Sequence, residues 1–557
     1  MSVVYEAGTK EMDESLRLLG EGAVSLKEMA IPRRLELIYQ CIEAVGQVAR
    51  EWVEAACDAK RIDKNSLARV EEVTAGPLAT IRFLQLFGQT LKDVQSNGSP
   101  RIPGVVVKRH GQCRVPVFPT RQMYDALLFR PMAAETWLDP AVDANAIHRE
   151  SLARCCGKKS VPEVVVVLGA GNVSSIPATD ALSKIFGESC AVALKLNPVN
   201  AYLGSFFESA FKPLVDANLF RLSSGGMETG QHLIQHPATN GVHITGSINS
   251  HDNIVWGVDS QREQRRQTNQ PILQKSITSE LGNVSPWAIV PGQYTRAELW
   301  AQAQTIASSI TNNVSFNCIA TKLIVTCRNW PQRQEFLGMI EEIMSGVPRR
   351  FAYYPGAAER FERFSDIPAT DPERLPWTLL RDIDPVAAPH LLQDESFTCV
   401  CAELAIEADS ESDFMFKATE LMNEQVWGTL AATFTLTSAT EKRYAAELDE
   451  CLRKLRYGTI GINQWPALSF ALMSPPWGGH PSSNLQNAQS GIGFVHNTYL
   501  LDRPEKTILR APLKMMPKPI WYTSHRHPEQ VAWDMLHMYL RPSPLRLPRL
   551  FWSSLTG

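Results

Sequence analysis

The sequence has no paired Cys-x-x-Cys spacing, although it holds 11 cysteines in 557 residues. That excludes the usual layout of a structural zinc site or a dithiol redox centre, so no metal is expected. Only Cys155-Cys156 and Cys399-x-Cys401 lie close together. No apolar run approaches the roughly 18 residues needed to cross a bilayer. The opening MSVVYEAGTKEMDESL carries no apolar signal core. No charge sign dominates: 55 Lys and Arg stand against 58 Asp and Glu, a net of −3, so nothing in the balance points to nucleic acid. No repeat of fixed period is present. What remains is a globular chain long enough for two or three domains, expected in a reducing, cytoplasmic setting with mostly reduced thiols. There a single thiol can serve as a nucleophile.

What is present is an ordered alternation. Residues from about Ser15 to Gln95 carry apolar positions at spacings of three and four, which predicts helices. From Gly98 to about Pro140 the pattern is irregular. Residues 113–121 and 125–131 read as a strand pair outside the main sheet. Val164-Val165-Val166-Val167-Leu168, Ala191-Val192-Ala193-Leu194-Lys195 and Gly241-Val242-His243-Ile244-Thr245 read as buried strands separated by helices. That order predicts βαβ units and a parallel sheet. A second alternating stretch runs from Ser285 to about Gly461, and the proline-rich Arg349–Pro389 reads as an insertion or long connection.

Gly169-Ala170-Gly171-Asn172-Val173-Ser174 follows the first of these strands and opens a helix. It nearly fits the dinucleotide fingerprint, but Ser174 replaces the last glycine. The second strand ends Lys195-Leu196-Asn197-Pro198, with no acid for a ribose. A tight strand-to-helix turn accounts for it equally well. In another arrangement, Asn172 aims its amide at a reacting carbonyl and Lys195 meets a cofactor's ribose or phosphate.

Six further segments point to that arrangement. Ser279-Glu280-Leu281-Gly282-Asn283-Val284-Ser285-Pro286 resembles the glutamate motif of aldehyde dehydrogenases, with Asn283 in place of the usual lysine. Asn312-Asn313-Val314-Ser315-Phe316-Asn317-Cys318 resembles their cysteine motif, and Cys318 follows Glu280 by 38 residues. Ile244-Thr245-Gly246-Ser247 resembles the turn against the cofactor, and Asp394-Glu395-Ser396-Phe397 the acid–aromatic motif. Asn423 with Trp427-Gly428 matches another. Pro476-Trp477-Gly478-Gly479, followed by Ser490-Gly491-Ile492-Gly493, completes the set. Their order from about residue 165 to 495 is the family's order.

The resemblance implies an α/β fold with a Rossmann-type cofactor domain, an α/β catalytic domain and an oligomerisation hairpin. The implied boundaries are 1–112 for the helical part of the cofactor domain, 113–150 for the hairpin, and 151–281 for the rest of the cofactor domain. Residues 282–463 form the catalytic domain, and 464–557 return to the cofactor domain with a last strand and a tail. It implies Cys318 as nucleophile, Glu280 as base and Asn172 as oxyanion donor. Lys195, Gly246, Ser247, Leu281, Glu395 and Phe397 would hold NAD or NADP. The substrate would be an aldehyde, apolar or aromatic to judge from Trp465, Phe470 and Trp477, and the assembly a homodimer or homotetramer. Because Gly169-Ala170-Gly171-Asn172-Val173 is similar to the turn of long-chain acyl-CoA reductases, CoA is an alternative acceptor to water. A non-catalytic relative acting in assembly is a third reading. Pro198, where NAD-preferring members carry glutamate, leaves NADP open. The last residues mix Arg541, Arg546 and Arg549 with prolines, Phe551 and Trp552. They read as a surface tail, a patch touching lipid, or a flap over an apolar substrate, and the prolines argue against a continuous helix.

Overall fold

Four consecutive valines place Val164–Leu168 at the centre of a parallel sheet whose two faces are both covered. The computed structural model describes residues 8–157 and 161–555. In this first sheet the strands lie in the order Phe220–Ser223, Ala191–Lys195, Val164–Leu168, Gly241–Thr245, Ser276–Glu280, and every neighbouring pair is parallel. Val164 and Val166 join Leu16 and Leu19 of the helix Thr9–Glu28 in one apolar layer. Val165 and Val167 join Val45 and Phe87, from the helices Ile31–Ala59 and Ala79–Asn97, in the other.

The expected helical N-terminal region is present. Its last long helix stops at Gly98, which adopts the left-handed conformation usual at a helix end. The run from Arg69 to Asn97 is broken once, at Thr74–Leu78, where Ala75 and Gly76 leave helical geometry ahead of Pro77. The break frees the Ala75 carbonyl to accept the N–H of Ser175 at 3.0 Å, tying these helices to the turn after Val164–Leu168.

The second sheet has ten strands. Thr378–Leu380, Val400–Ile406, Leu323–Cys327, Pro286–Ile289, Ala431–Thr435, Thr459–Ile462 and Pro504–Arg510 follow one another in parallel. The sheet then continues antiparallel through Ala133–Leu138, Gln112–Phe118 and Val107–Arg109. The expectation of a separate strand pair at 113–121 and 125–131 is therefore corrected. The strands run in the main sheet because Val115, Val117 and Leu138 share one apolar cluster with Leu501 and Leu509. Met123–Leu128 is a helix, held by the buried carboxylate of Asp125, which accepts both terminal nitrogens of Arg82 at 2.9 Å. Arg349–Pro389 is more than a connection: it supplies the helix Ala357–Ser365 and the edge strand Thr378–Leu380. As its prolines suggested, the tail is not one continuous helix. It forms Pro528–Leu540 and Leu547–Leu555, with Pro528 and Pro548 in first turns, where no backbone N–H is needed.

Candidate active site

The two sheets meet at one short segment. Ser276–Glu280 ends the first sheet, and Pro286–Ile289 opens the centre of the second five residues later. The bend between them depends on a close approach. Gly491, at φ 114°, lets its backbone lie where a Cβ would sit 2.0 Å from the Ser279 carbonyl, and Ser279 and Ile492 exchange hydrogen bonds of 2.8 and 3.0 Å. Leu281 is buried, and its N–H donates to the Ser490 carbonyl at 2.9 Å. Asn283, at the family's lysine position, is fully buried and donates to Ser285 Oγ and the Ala431 carbonyl, both at 2.8 Å.

Cys318 reaches the same place from the other side. The helix Arg296–Thr311, closed at its start by a Thr295–Glu298 capping box, leads into Asn312–Ser315. There Asn313, Val314 and Ser315 take φ of 50°, 57° and 65° in succession. A β-branched residue is strained in that region, and this kink turns the chain so that Cys318 precedes Leu323–Cys327. The half-buried thiol donates to Glu280 Oε1 at 3.6 Å. Glu280 is 3% exposed, and its other oxygen has no partner among the described residues. Burial, with the nearby charge of Asp180 adding to it, pushes the Glu280 carboxyl up to about 8. Burial and the two carboxylates Glu280 and Glu395 push the Cys318 thiol up, against the opposing charge of Lys322.

Asn172 arrives from the glycine-rich turn. Its amide nitrogen donates to the Phe316 carbonyl at 2.9 Å. Its own carbonyl accepts from Lys60 at 3.2 Å, Asn313 at 3.0 Å and Tyr353 at 2.9 Å. Asn172, Glu280 and Cys318 thus line one cavity of about 200 Å³. Among the described residues the backbone N–H of Cys318 has no acceptor.

The residues assigned to cofactor binding lie on the rims of this junction. Lys195 ends its strand half-buried, and burial lowers its pKa; no ion pair engages it among the described residues. Gly246 and Ser247 are exposed at the end of Gly241–Thr245, and Ser247 caps the helix Ile248–Trp256. Lys195 and Gly246 lie at the carboxyl ends of strands flanking Val164–Leu168, beside the point where strand order reverses. Open α/β sheets form their ligand crevice there, and an N-terminal helix end suits a phosphate. Glu395 lies on the catalytic side, 3.3 Å from Lys322, and accepts from the Asn283 N–H at 3.3 Å. Phe397 packs on Phe316 and Tyr354, at ring distances of 5.8 and 5.0 Å. An exposed capped helix end, an unpaired lysine and an acid held at the far side fit a dinucleotide.

Three residues of the site escaped sequence reasoning. Lys322 donates to the carbonyls of Asn317, Cys318 and Ala320 at 2.9–3.1 Å and so closes the cysteine loop. A lysine opening the apolar run Leu323–Cys327 was the available signal. Lys60 and Tyr353 had none, since their bonds to Asn172 span 112 and 181 residues. Asn423, by contrast, donates to the Lys454 carbonyl at 2.9 Å, a structural link.

No protein-family model and no curated protein sequence matches the chain. Solved structures do. The chain superposes on an NAD-dependent aldehyde dehydrogenase from Sinorhizobium meliloti with a TM-score of 0.59 at 15% identity, over 92% of this chain and 89% of that one. It superposes on aldehyde dehydrogenase 21 from Physcomitrella patens, in complex with the reaction product succinate, with a TM-score of 0.61 at 13% identity, over 90% of each. A Mycobacterium tuberculosis aldehyde dehydrogenase complexed with NAD+ gives 0.57 at 16% identity, over 93% of this chain and 92% of that one. The chain has the fold of the aldehyde dehydrogenases.

Proposed function

We propose that this protein oxidises an aldehyde to a carboxylate with NAD or NADP through a thioester on Cys318. The observation that carries the reading is the thiol of Cys318 held 3.6 Å from the Glu280 carboxyl in a cavity shared with Asn172. Solved neighbours of the same fold are complexed with NAD+ or NADP.

Cys318 attacks the aldehyde carbon as the thiolate. Its proton leaves to solvent. The oxygen that gains charge lies against the Cys318 N–H and the Asn172 amide; one such donor is typically worth about 3–4 kcal/mol. Lys322 adds positive charge at the loop. The dinucleotide, when bound, supplies the hydride acceptor; Lys195, Gly246, Ser247, Leu281, Glu395 and Phe397 are the residues to hold it. Glu280 then draws a proton from the water that cleaves the thioester. The apolar walls of the cavity, with Trp465, Phe470 and Trp477, support an apolar or aromatic aldehyde.

One observation favours a second reading, an acyl-CoA reductase. A carboxyl held near 8 is mostly protonated at neutral pH and is then no base for water, which leaves the thioester for CoA. The test is to supply apolar aldehydes with NAD and with NADP, with and without CoA, while trapping the acylated Cys318 peptide for mass spectrometry. Hydrolysis without CoA supports the first reading; strict CoA dependence selects the second. An unlabelled Cys318 sinks both.

The assignment of Glu395 is tested through Gly282. A Cβ at Gly282 would lie 2.0 Å from Glu395 Oε2, so Gly282→Ala swings that carboxylate away. Losing one charged hydrogen bond to a ribose raises KM for the dinucleotide about tenfold or more, with a smaller change in kcat. Steady-state kinetics beside a thermal melt checks it; an unchanged KM removes Glu395 from the cofactor site.

A further inference from the structure

The cavity that holds Cys318 is roofed by a part of the chain that the catalytic motifs do not include. Past the last strand, Pro504–Arg510, the segment from Met515 onward folds back over the N-terminal helices. The helix Pro528–Leu540 turns Val531, Met535 and Tyr539 into the cavity. These positions recur every four residues and share one face, so together they extend about 12 Å along the helix axis. The facing wall has the same form: Val70, Leu78, Ala79 and Arg82 line the cavity from the helical run that breaks at Gly76. Two helical faces therefore enclose an elongated slot rather than a rounded pocket.

The slot is apolar along its length and polar at definite places. Cys318, Glu280 and Asn172 supply the reactive groups. At Arg82 and Tyr539, the last lining residue of each helix, the guanidinium is already satisfied. It donates to Asp125, to the Tyr539 hydroxyl at 2.9 Å and to the Leu472 carbonyl at 2.8 Å, so it presents a closed end and no free charge. The roof is also firmly seated. Glu529 pairs with Arg69 at 3.1 Å, Gln85 donates to the Tyr539 carbonyl at 2.6 Å, and the Tyr522 and Thr305 hydroxyls lie 2.6 Å apart. Val531 and Tyr539 are each 1% exposed and pack in the core, while Met535 is 8% exposed, so Met535 is the residue of this helix with surface to offer a ligand.

We propose that this C-terminal segment is the specificity element of the protein, and that the slot beneath it takes the extended alkyl chain of a medium- or long-chain aliphatic aldehyde. The inference rests on the aldehyde-oxidation reading above. A straight chain fills a slot between two helix faces and buries each of its methylenes, at about 0.8 kcal/mol apiece. A short aldehyde leaves most of the slot empty. Chain-length preference therefore belongs to Val531, Met535 and the opposite Ala79, not to the catalytic residues.

The test uses the full chain. Met535→Trp and, from the facing wall, Ala79→Met each shorten the slot. In both, the ratio of kcat/KM for dodecanal to that for butanal should fall about tenfold or more. Two variants on opposite walls guard against one of them misfolding, and circular dichroism melts report that directly. A second measurement is independent of catalysis: dodecanamide should quench the tryptophan fluorescence of the Cys318→Ala protein, and Met535→Trp should weaken its binding about tenfold. An unchanged ratio in folded variants, or oxidation of butanal as efficient as that of dodecanal in the unaltered protein, overturns the proposal and leaves the catalytic reading standing. Dodecanamide binding without oxidation of any aldehyde keeps the slot and sinks the catalytic reading.

Discussion

Glu280→Gln should cut the release of carboxylate about 10²–10⁴-fold, the usual contribution of a positioned base, while acylated Cys318 still forms and accumulates. Cys318→Ala should abolish both steps. The two variants part because the thiol makes the covalent bond and the carboxyl acts on the proton. The pH dependence follows from where Glu280 sits. Burial and Asp180 place its carboxyl at about 8, so the ionised, base-competent form is a minority of roughly a tenth at pH 7 and grows as pH rises. Carboxylate release therefore climbs with pH through about 8 and levels off above it. In Glu280→Gln that limb disappears. Quenched-flow trapping of the Cys318 peptide across pH 6–10 measures both steps. If Glu280→Gln keeps the limb and the rate of release, Glu280 is not the base, and CoA rather than water becomes the acceptor to test.

The legible part of the sequence was the part written in local pattern. Val164–Leu168 and Ala191–Lys195 are buried strands because nearly every residue is apolar. Glu280 and Cys318 could be paired because each lies in a segment that resembles a motif of the aldehyde dehydrogenases, in that family's order. The illegible part was written in contacts between distant segments. Met123–Leu128 looks like a strand until Arg82, some forty residues upstream, claims the Asp125 carboxylate. The tail prolines argued against one continuous helix, and Pro542 and Pro544 do fall in the break between Pro528–Leu540 and Leu547–Leu555; the two helices on either side were not visible. The kink at Asn313-Val314-Ser315 contradicts the preference of valine itself, so no local rule finds it. Tertiary contacts impose it, and they impose it beside the nucleophile.

Those contacts converge on Lys60, and the second large effect is expected there. Its ammonium and Glu72 are 2.7 Å apart, with side chains 5% and 3% exposed. Burial opposes the charge on Lys60, but Glu72 and two tyrosines outweigh it and hold the ammonium well above its usual range. The same nitrogen donates to the Asn172 carbonyl at 3.2 Å and to Asn313 Oδ1 at 3.1 Å. Lys60 thus joins the oxyanion turn to the strained residue at the head of the cysteine loop. Lys60→Met leaves Glu72 as an uncompensated buried charge, at a cost of about 3–5 kcal/mol, and the thermal midpoint falls. It also frees Asn172 and Asn313 to shift. A displacement of about 1 Å at a reacting centre lowers kcat about 10²-fold. The double variant Lys60→Met with Glu72→Met separates the two effects. Removing both charges returns most of the stability, but neither new side chain donates to Asn172 and Asn313 as the ammonium did, so kcat stays low. If the double variant recovers stability and kcat together, Lys60 serves the fold alone and the cysteine loop holds its shape without it.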